Sequence, residues 1–100
     1  DAALVARLAG AMRLLDFEWI EVQPGSELAG RSIGEAHVRS RTGASIVGVA
    51  RGERLTASPG PDTPLEAGAL LAVVGRRESL VAVEGLAAPA ASREPAATRG

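Results

Sequence analysis

The sequence predicts an α+β domain: a small, mainly antiparallel sheet with short helices, assembled as a symmetric dimer. Three observations predict it. Strand-forming runs and short helical stretches follow one another, separated by glycine turns. The run from Ser45 to Arg51 passes through Gly52-Glu53 directly into Arg54 to Ala57, which reads as a β-hairpin. Finally, two apolar runs, Ile46-Val47-Gly48-Val49-Ala50 and Ala69-Leu70-Leu71-Ala72-Val73-Val74, do not alternate polar with apolar residues. Strands of that kind are covered on both faces. Three short helices leave surface to cover, and a second copy of the chain is the simplest cover.

The elements follow in order. Residues 1–16 read as a helix, because Leu4, Leu8, Met12 and Leu15 recur at helical spacing. That helix either packs on its own domain or connects it to a part ahead of Asp1. Residues 17–23 are rich in strand formers, and Pro24-Gly25-Ser26 ends them. Ser32-Ile33-Gly34-Glu35 is a capping box that starts a second helix. Arg39 and Arg41 fall in its last turn, where cations suit the helix dipole, and Gly43 closes it with positive φ. His37 is placed mid-helix. The hairpin comes next, then a loop with Pro59, Pro61 and Pro64. Residues 69–74 form the most apolar strand, Gly75 stops it, and residues 77–86 form the last helix. From residue 87 on, Ala, Pro, Ser and Arg without periodicity read as a disordered tail.

Composition narrows the function classes. One hundred residues make one small domain. Net charge is −1, so no electrostatic field points to nucleic acid or an anionic membrane. All 11 basic residues are Arg, a mark of coding bias. Cys is absent, which excludes disulfides and thiol catalysis. No apolar run reaches the ~20 residues of a membrane span, so the chain reads as soluble.

Catalysis has little support. His37 is the sole histidine, and no Gly-x-Ser-x-Gly elbow accompanies it. It reads as a surface or packing residue, with a pH-sensing role physically open. A metal site is not indicated, since the acids are scattered singly. Phosphate-binding glycine loops of the Gly-x-x-x-x-Gly-Lys and Gly-x-Gly-x-x-Gly types are missing. Base-stacking aromatics for RNA are also lacking.

Order and spacing of the turns carry a resemblance. Ser26-Glu27-Leu28-Ala29-Gly30, the strand Ile46 to Arg51, the loop Pro59-Gly60-Pro61-Asp62, and Leu65-Glu66-Ala67-Gly68 followed by Leu70 to Gly75 resemble the RCK-type C-terminal domain, also called TrkA-C. The resemblance covers residues 17–86. The acid usual after Gly68 is here Ala69. The wording RTGASIVGVARGE and SPGPDTPLEAG is most similar to regulatory subunits of potassium/proton antiporters (KhtT-like), which carry a small N-terminal domain before this module.

The resemblance implies a cytosolic, ligand-sensing regulator of potassium or cation transport, not an enzyme, with no cofactor. Its implied partners are a second copy in a twofold homodimer, a membrane transporter or antiporter subunit that holds it at the inner membrane, and no nucleic acid. It further implies cyclic di-AMP as a ligand between the two copies. The positions implied to line that site are Ile46, Val47, Arg51, Ala57, Ser58 and Pro59. Read from the residues alone, Ile46 and Val47 are equally core, and Arg51 a solvated strand end. The competing function is a structural dimerisation module without its own ligand.

Overall fold

In the computed structural model, the described residues are 2–4, 7 and 15–90. The domain is a four-stranded antiparallel sheet in the order β1-β6-β3-β4, with a two-stranded pair, β2-β5, beside it. The strands are β1 (Asp16–Glu21), β2 (Arg31–Ser32), β3 (Ser45–Arg51), β4 (Arg54–Ala57), β5 (Pro64–Leu65) and β6 (Leu70–Gly75). The helices that follow β1 among the described residues are α1 (Ile33–Ala36), α2 (Val38–Thr42) and α3 (Arg77–Ala87). The predicted α+β class holds. Most of the expected helix over residues 1–16 lies outside the described residues; residues 2–4 and 7 are helical, and Asp16 already belongs to β1.

Register explains the core. Ile20, Leu71, Val49 and Thr56 form one row across the sheet, and Glu18, Val73 and Ile46 form the next. This inner face packs on α3 through Leu80, Val83 and Leu86, all buried. Leu28, Leu65 and Val38 complete the core from the loops and α2. The opposite face carries Phe17, Trp19, Leu55 and Leu70, which remain between 42% and 64% exposed. Phe17 and Trp19 stack edge to face at 5.6 Å. So the non-alternating strands are apolar on both faces as read, and the described residues cover only one.

The capping box forms as its spacing predicts. Glu35 N–H donates to Ser32 Oγ at 3.2 Å, and Ser32 N–H donates to Glu35 Oε1 at 2.9 Å. The helix it starts departs from the prediction. His37 adopts φ 52°, ψ 39°, and this left-handed residue splits the stretch into α1 and α2. Gly43 closes α2 at φ 86° and returns its N–H to the Arg39 carbonyl at 2.8 Å, the expected C-cap.

The pair β2-β5 was not foreseen. It ties the proline loop to the start of α1: Ile33 N–H donates to Thr63 O and Gly34 N–H to Pro61 O, both at 2.9 Å. Gly34 permits this approach, because a Cβ there would sit 3.2 Å from Pro61. Leu65, fully buried, anchors the segment. After α3 the chain keeps pairing: Gln23 N–H donates to Ala87 O and Ala90 N–H to Gly25 O. The remainder of the predicted tail, 91–100, lies outside the described residues.

Two stability measurements follow. Ser32→Ala is expected to cost about 1 kcal/mol by removing the N-cap acceptor; an unchanged denaturant midpoint would show that the hydroxyl does not hold this helix. Leu65→Ala deletes a buried anchor and is expected to cost about 2–5 kcal/mol. A loss well under 1 kcal/mol would mean that the proline loop is held by its backbone bonds alone.

Candidate functional site

Two grooves open on the inner side of the sheet, at opposite ends of β3. The first, about 650 Å³, is walled by α1, α2 and the start of β3 and lined by Ile33, His37, Val38, Arg39, Ser45 and Ile46, with Ser40 at its rim. Ile33 and Ile46 are half-buried against the core and supply the apolar walls. His37 and Arg39 are exposed. The left-handed residue His37 separates α1 from α2, and Arg39 and Ser40 of α2 line the groove. Arg39 makes no ion pair among the described residues. A cationic guanidinium beside two aliphatic side chains can take an anionic group while apolar surface takes a flat ring.

The other helical arginine is engaged. Arg41 pairs with Glu27, and that hydrogen bond is the main reason its guanidinium is held above its ordinary pKa. Position on the helix therefore does not distinguish Arg39 from Arg41. The ion pair does.

The second groove, about 460 Å³, is lined by Val49, Arg51, Arg54, Thr56, Thr63, Pro64 and Glu66. Arg51 pairs with Glu66. It stands five residues from Ile46 along β3, about 16 Å at ~3.3 Å per residue. The six residues implied by the resemblance are thus not brought together as one lining. Ile46 enters the first groove and Arg51 the second. Val47, Ala57, Ser58 and Pro59 meet at a corner between them. Here the register slips between Ile46 and Gly48. The slip turns Ile46 to the groove and leaves Val47 43% exposed. Ser58 adopts φ 51° and returns its N–H to Val47 O at 3.1 Å, an uncommon conformation for a residue other than glycine.

Sequence reasoning missed Arg39, Ser40 and Ser45 as groove residues. The available signal was Arg39, four residues before the Gly43 cap, which the sequence reading takes, with Arg41, only as a complement to the helix dipole. A third, small hollow beside β1 holds Glu84. The Glu84 carboxyl is pushed above the usual carboxylate range, first by a hydrogen bond with Glu18 and then by desolvation, with Arg77 opposing. Among the described residues no group of three His, Cys, Asp or Glu could hold a metal ion, and no helix is long and apolar enough to cross a membrane.

Comparison with known proteins places this geometry. The family model of the TrkA-C domain matches residues 17–87. The ammonium/H(+) antiporter subunit AmhM of Alkalihalophilus pseudofirmus is 34% identical over 88 residues, which are 88% of this chain and 53% of AmhM; the chain thus spans about half the length of that relative. Among solved structures, the RCK_C domain dimer of Streptococcus agalactiae BusR in complex with c-di-AMP superposes with a TM-score of 0.68 at 32% identity, covering 74% of this chain and 91% of that one. The RCK C domain of the potassium transport protein KtrA, also in complex with c-di-AMP, superposes with a TM-score of 0.69 at 25% identity, covering 84% and 96%. Since the family model matches residues 17–87, most of its length, the chain belongs to the TrkA-C (RCK_C) domain family.

Proposed function

We propose that this domain is a non-catalytic, cytoplasmic sensor that regulates a potassium or related cation transporter, and that its ligand is cyclic di-AMP bound by a twofold dimer. The observation that carries the reading is the first groove: apolar walls from Ile33 and Ile46 beside Arg39, which has no ion pair among the described residues. Two solved domains of the same family are complexes with that dinucleotide. Regulation of transport is supported by the antiporter subunit and by KtrA, whose names place them in ammonium/proton and potassium transport.

The ligand is itself twofold symmetric, so each copy can make the same contacts to one half. In this reading Ile46 and Ile33 flank an adenine face, Arg39 meets a phosphate, and the corner of Val47, Ala57, Ser58 and Pro59 borders the seam. Arg51, the phosphate partner implied by the resemblance, is held by Glu66 and is assigned to the other groove.

Calorimetric titration of the chain with cyclic di-AMP tests this. One ligand per dimer and a raised melting temperature are expected, because a ligand that binds only the assembled form stabilises it by mass action. Arg39→Ala should weaken binding at least tenfold, equivalent to ~1.4 kcal/mol, while Arg51→Ala should change it less than threefold. The reverse order would return the phosphate to Arg51. No heat and no thermal shift would leave a dimerisation module without a ligand of its own.

Assembly is tested separately. Light scattering at tens of micromolar should give the dimer mass, and Val47→Arg at the corner should shift it toward monomer. A monomer mass for the unaltered chain, with ligand present, would refute the twofold seam.

A further inference from the structure

The outer face of the sheet is apolar, and its rim along β1 is acidic. Phe17 and Trp19 stand on β1, Leu70 on β6 and Leu55 on β4, each at least 42% exposed. Cross-strand register puts Ala72, Gly48 and Ala50 between Trp19 and Leu55 on the central strands. β1 and β4 lie about 14 Å apart, three strand spacings of ~4.8 Å, which admits one helix of about 10 Å diameter. Among the strand residues of this face the charge is carried by Glu21, and no arginine is present.

The acidic rim continues round the free edge of β1. A hollow of about 390 Å³ there is lined by Trp19, Glu21 and Gln23 on one side and by Glu84 and Ala88 on the other. The apolar face and a carboxylate of α3 thus share one cavity. Glu84 hydrogen-bonds to Glu18, which raises its carboxyl above the ordinary range; desolvation adds to the rise and Arg77 opposes it. Glu18 Oε1 is buried with no donor facing it. Arg77 lies 3.8 Å from Asp16 and 4.0 Å from Glu18, beyond hydrogen-bond reach of either. Glu21 has no ion pair among the described residues. Two carboxyls that share a proton mark a place one positive charge short.

We propose that this face docks an amphipathic helix of a partner protein, apolar on one side and carrying Lys or Arg along the flank that meets β1. Its apolar stripe would cover Trp19, Leu70 and Leu55. A basic side chain would lay its methylene stem along Trp19. Its charge would enter the hollow against Glu84 and Glu21 and displace the shared proton. Charge selects this occupant over others. The same face of a second copy brings another Glu21 and no arginine, and an anionic lipid surface is repelled by the carboxylates. Cytoplasmic segments of membrane proteins are rich in Lys and Arg, which is the class of sequence that suits this surface. The docking face and the dinucleotide groove lie on opposite sides of the sheet, so either can fail alone.

Trp19 is the sole tryptophan, and its emission reports on the face directly. The probe is a tryptophan-free helical peptide of about 18 residues, ~27 Å long, with a leucine stripe flanked by lysines. A glutamate-flanked version and a scrambled version are the controls. With the full chain, a saturable change in Trp19 emission is expected for the lysine peptide, at least tenfold tighter than for either control. Leu55→Ser, at a site 64% exposed, should weaken it at least tenfold with the melting temperature unchanged. Glu84→Gln should weaken it at least threefold and abolish the tightening that the wild type shows as pH rises and the shared proton leaves. No saturation, equal affinity for a control peptide, or full binding by Leu55→Ser would overturn the docking face. Three further results would give it to another occupant and overturn the proposal equally. Leu55→Ser that turns a dimer into a monomer assigns the face to a second copy. Trp19 emission that responds to anionic vesicles and not to the peptide assigns it to a lipid surface. Overhauser contacts from Leu8 or Met12 to Trp19 in the free chain assign it to the chain's own first residues.

Discussion

The backbone bonds that tie residues 61–65 to residues 30–34 hold both grooves at once. Gly30 N–H donates to Leu65 O, Ile33 N–H to Thr63 O and Gly34 N–H to Pro61 O, all at 2.9 Å. On one side of this seam Ile33 and Gly34 wall the first groove; on the other Thr63, Pro64 and Glu66 wall the second. Leu65 drives the seam closed by burying completely, and Gly34 lets the two backbones approach. Remove either and both walls lose their reference to the sheet.

Much of this was legible in the sequence because it is local. A capping box needs only Ser32 and Glu35 three residues apart, and a hairpin needs only two strand formers around Gly52-Glu53; both appear where they were read. The strands Ser45–Arg51 and Arg54–Ala57 match residue for residue. The β2-β5 pair was not legible, because it joins segments some thirty residues apart through two residues each, too short to leave a pattern. The break at His37 was hidden for a different reason. Its neighbours Ala36 and Val38 are both buried, and the chain satisfies both by a left-handed kink that no turn residue announces.

The site was less legible than the fold, and the arginines show why. Arg39, Arg41 and Arg51 look alike in the sequence as cations near element ends. Their fates are decided by acids far along the chain: Glu27 takes Arg41 and Glu66 takes Arg51. Partners fourteen and fifteen residues away are fixed by loop closure and strand register, not by local spacing. Arg39 differs only in lacking such a partner among the described residues. Its availability for an anion is a property of the fold as a whole.

The apolar content of the sheet sets the final constraint. Inner-row residues Ile20, Leu71, Val49 and Val73 are at most 7% exposed, whereas outer-face Phe17, Trp19, Leu55 and Leu70 are at least 42% exposed. A ligand in a surface groove on a single small domain would keep much of its own area in water and bury little. The same ligand at a twofold seam meets a second groove, so its buried surface and its hydrogen-bond donors double while the ordering of each copy is shared. With only two aromatic residues in the chain and both on the outer face, the inner core rests on aliphatic packing alone. Such a domain has modest stability of its own. If two copies associate around a ligand as proposed, association and binding would supply a larger share of the total, which is the condition under which a small molecule can change how firmly two copies hold together.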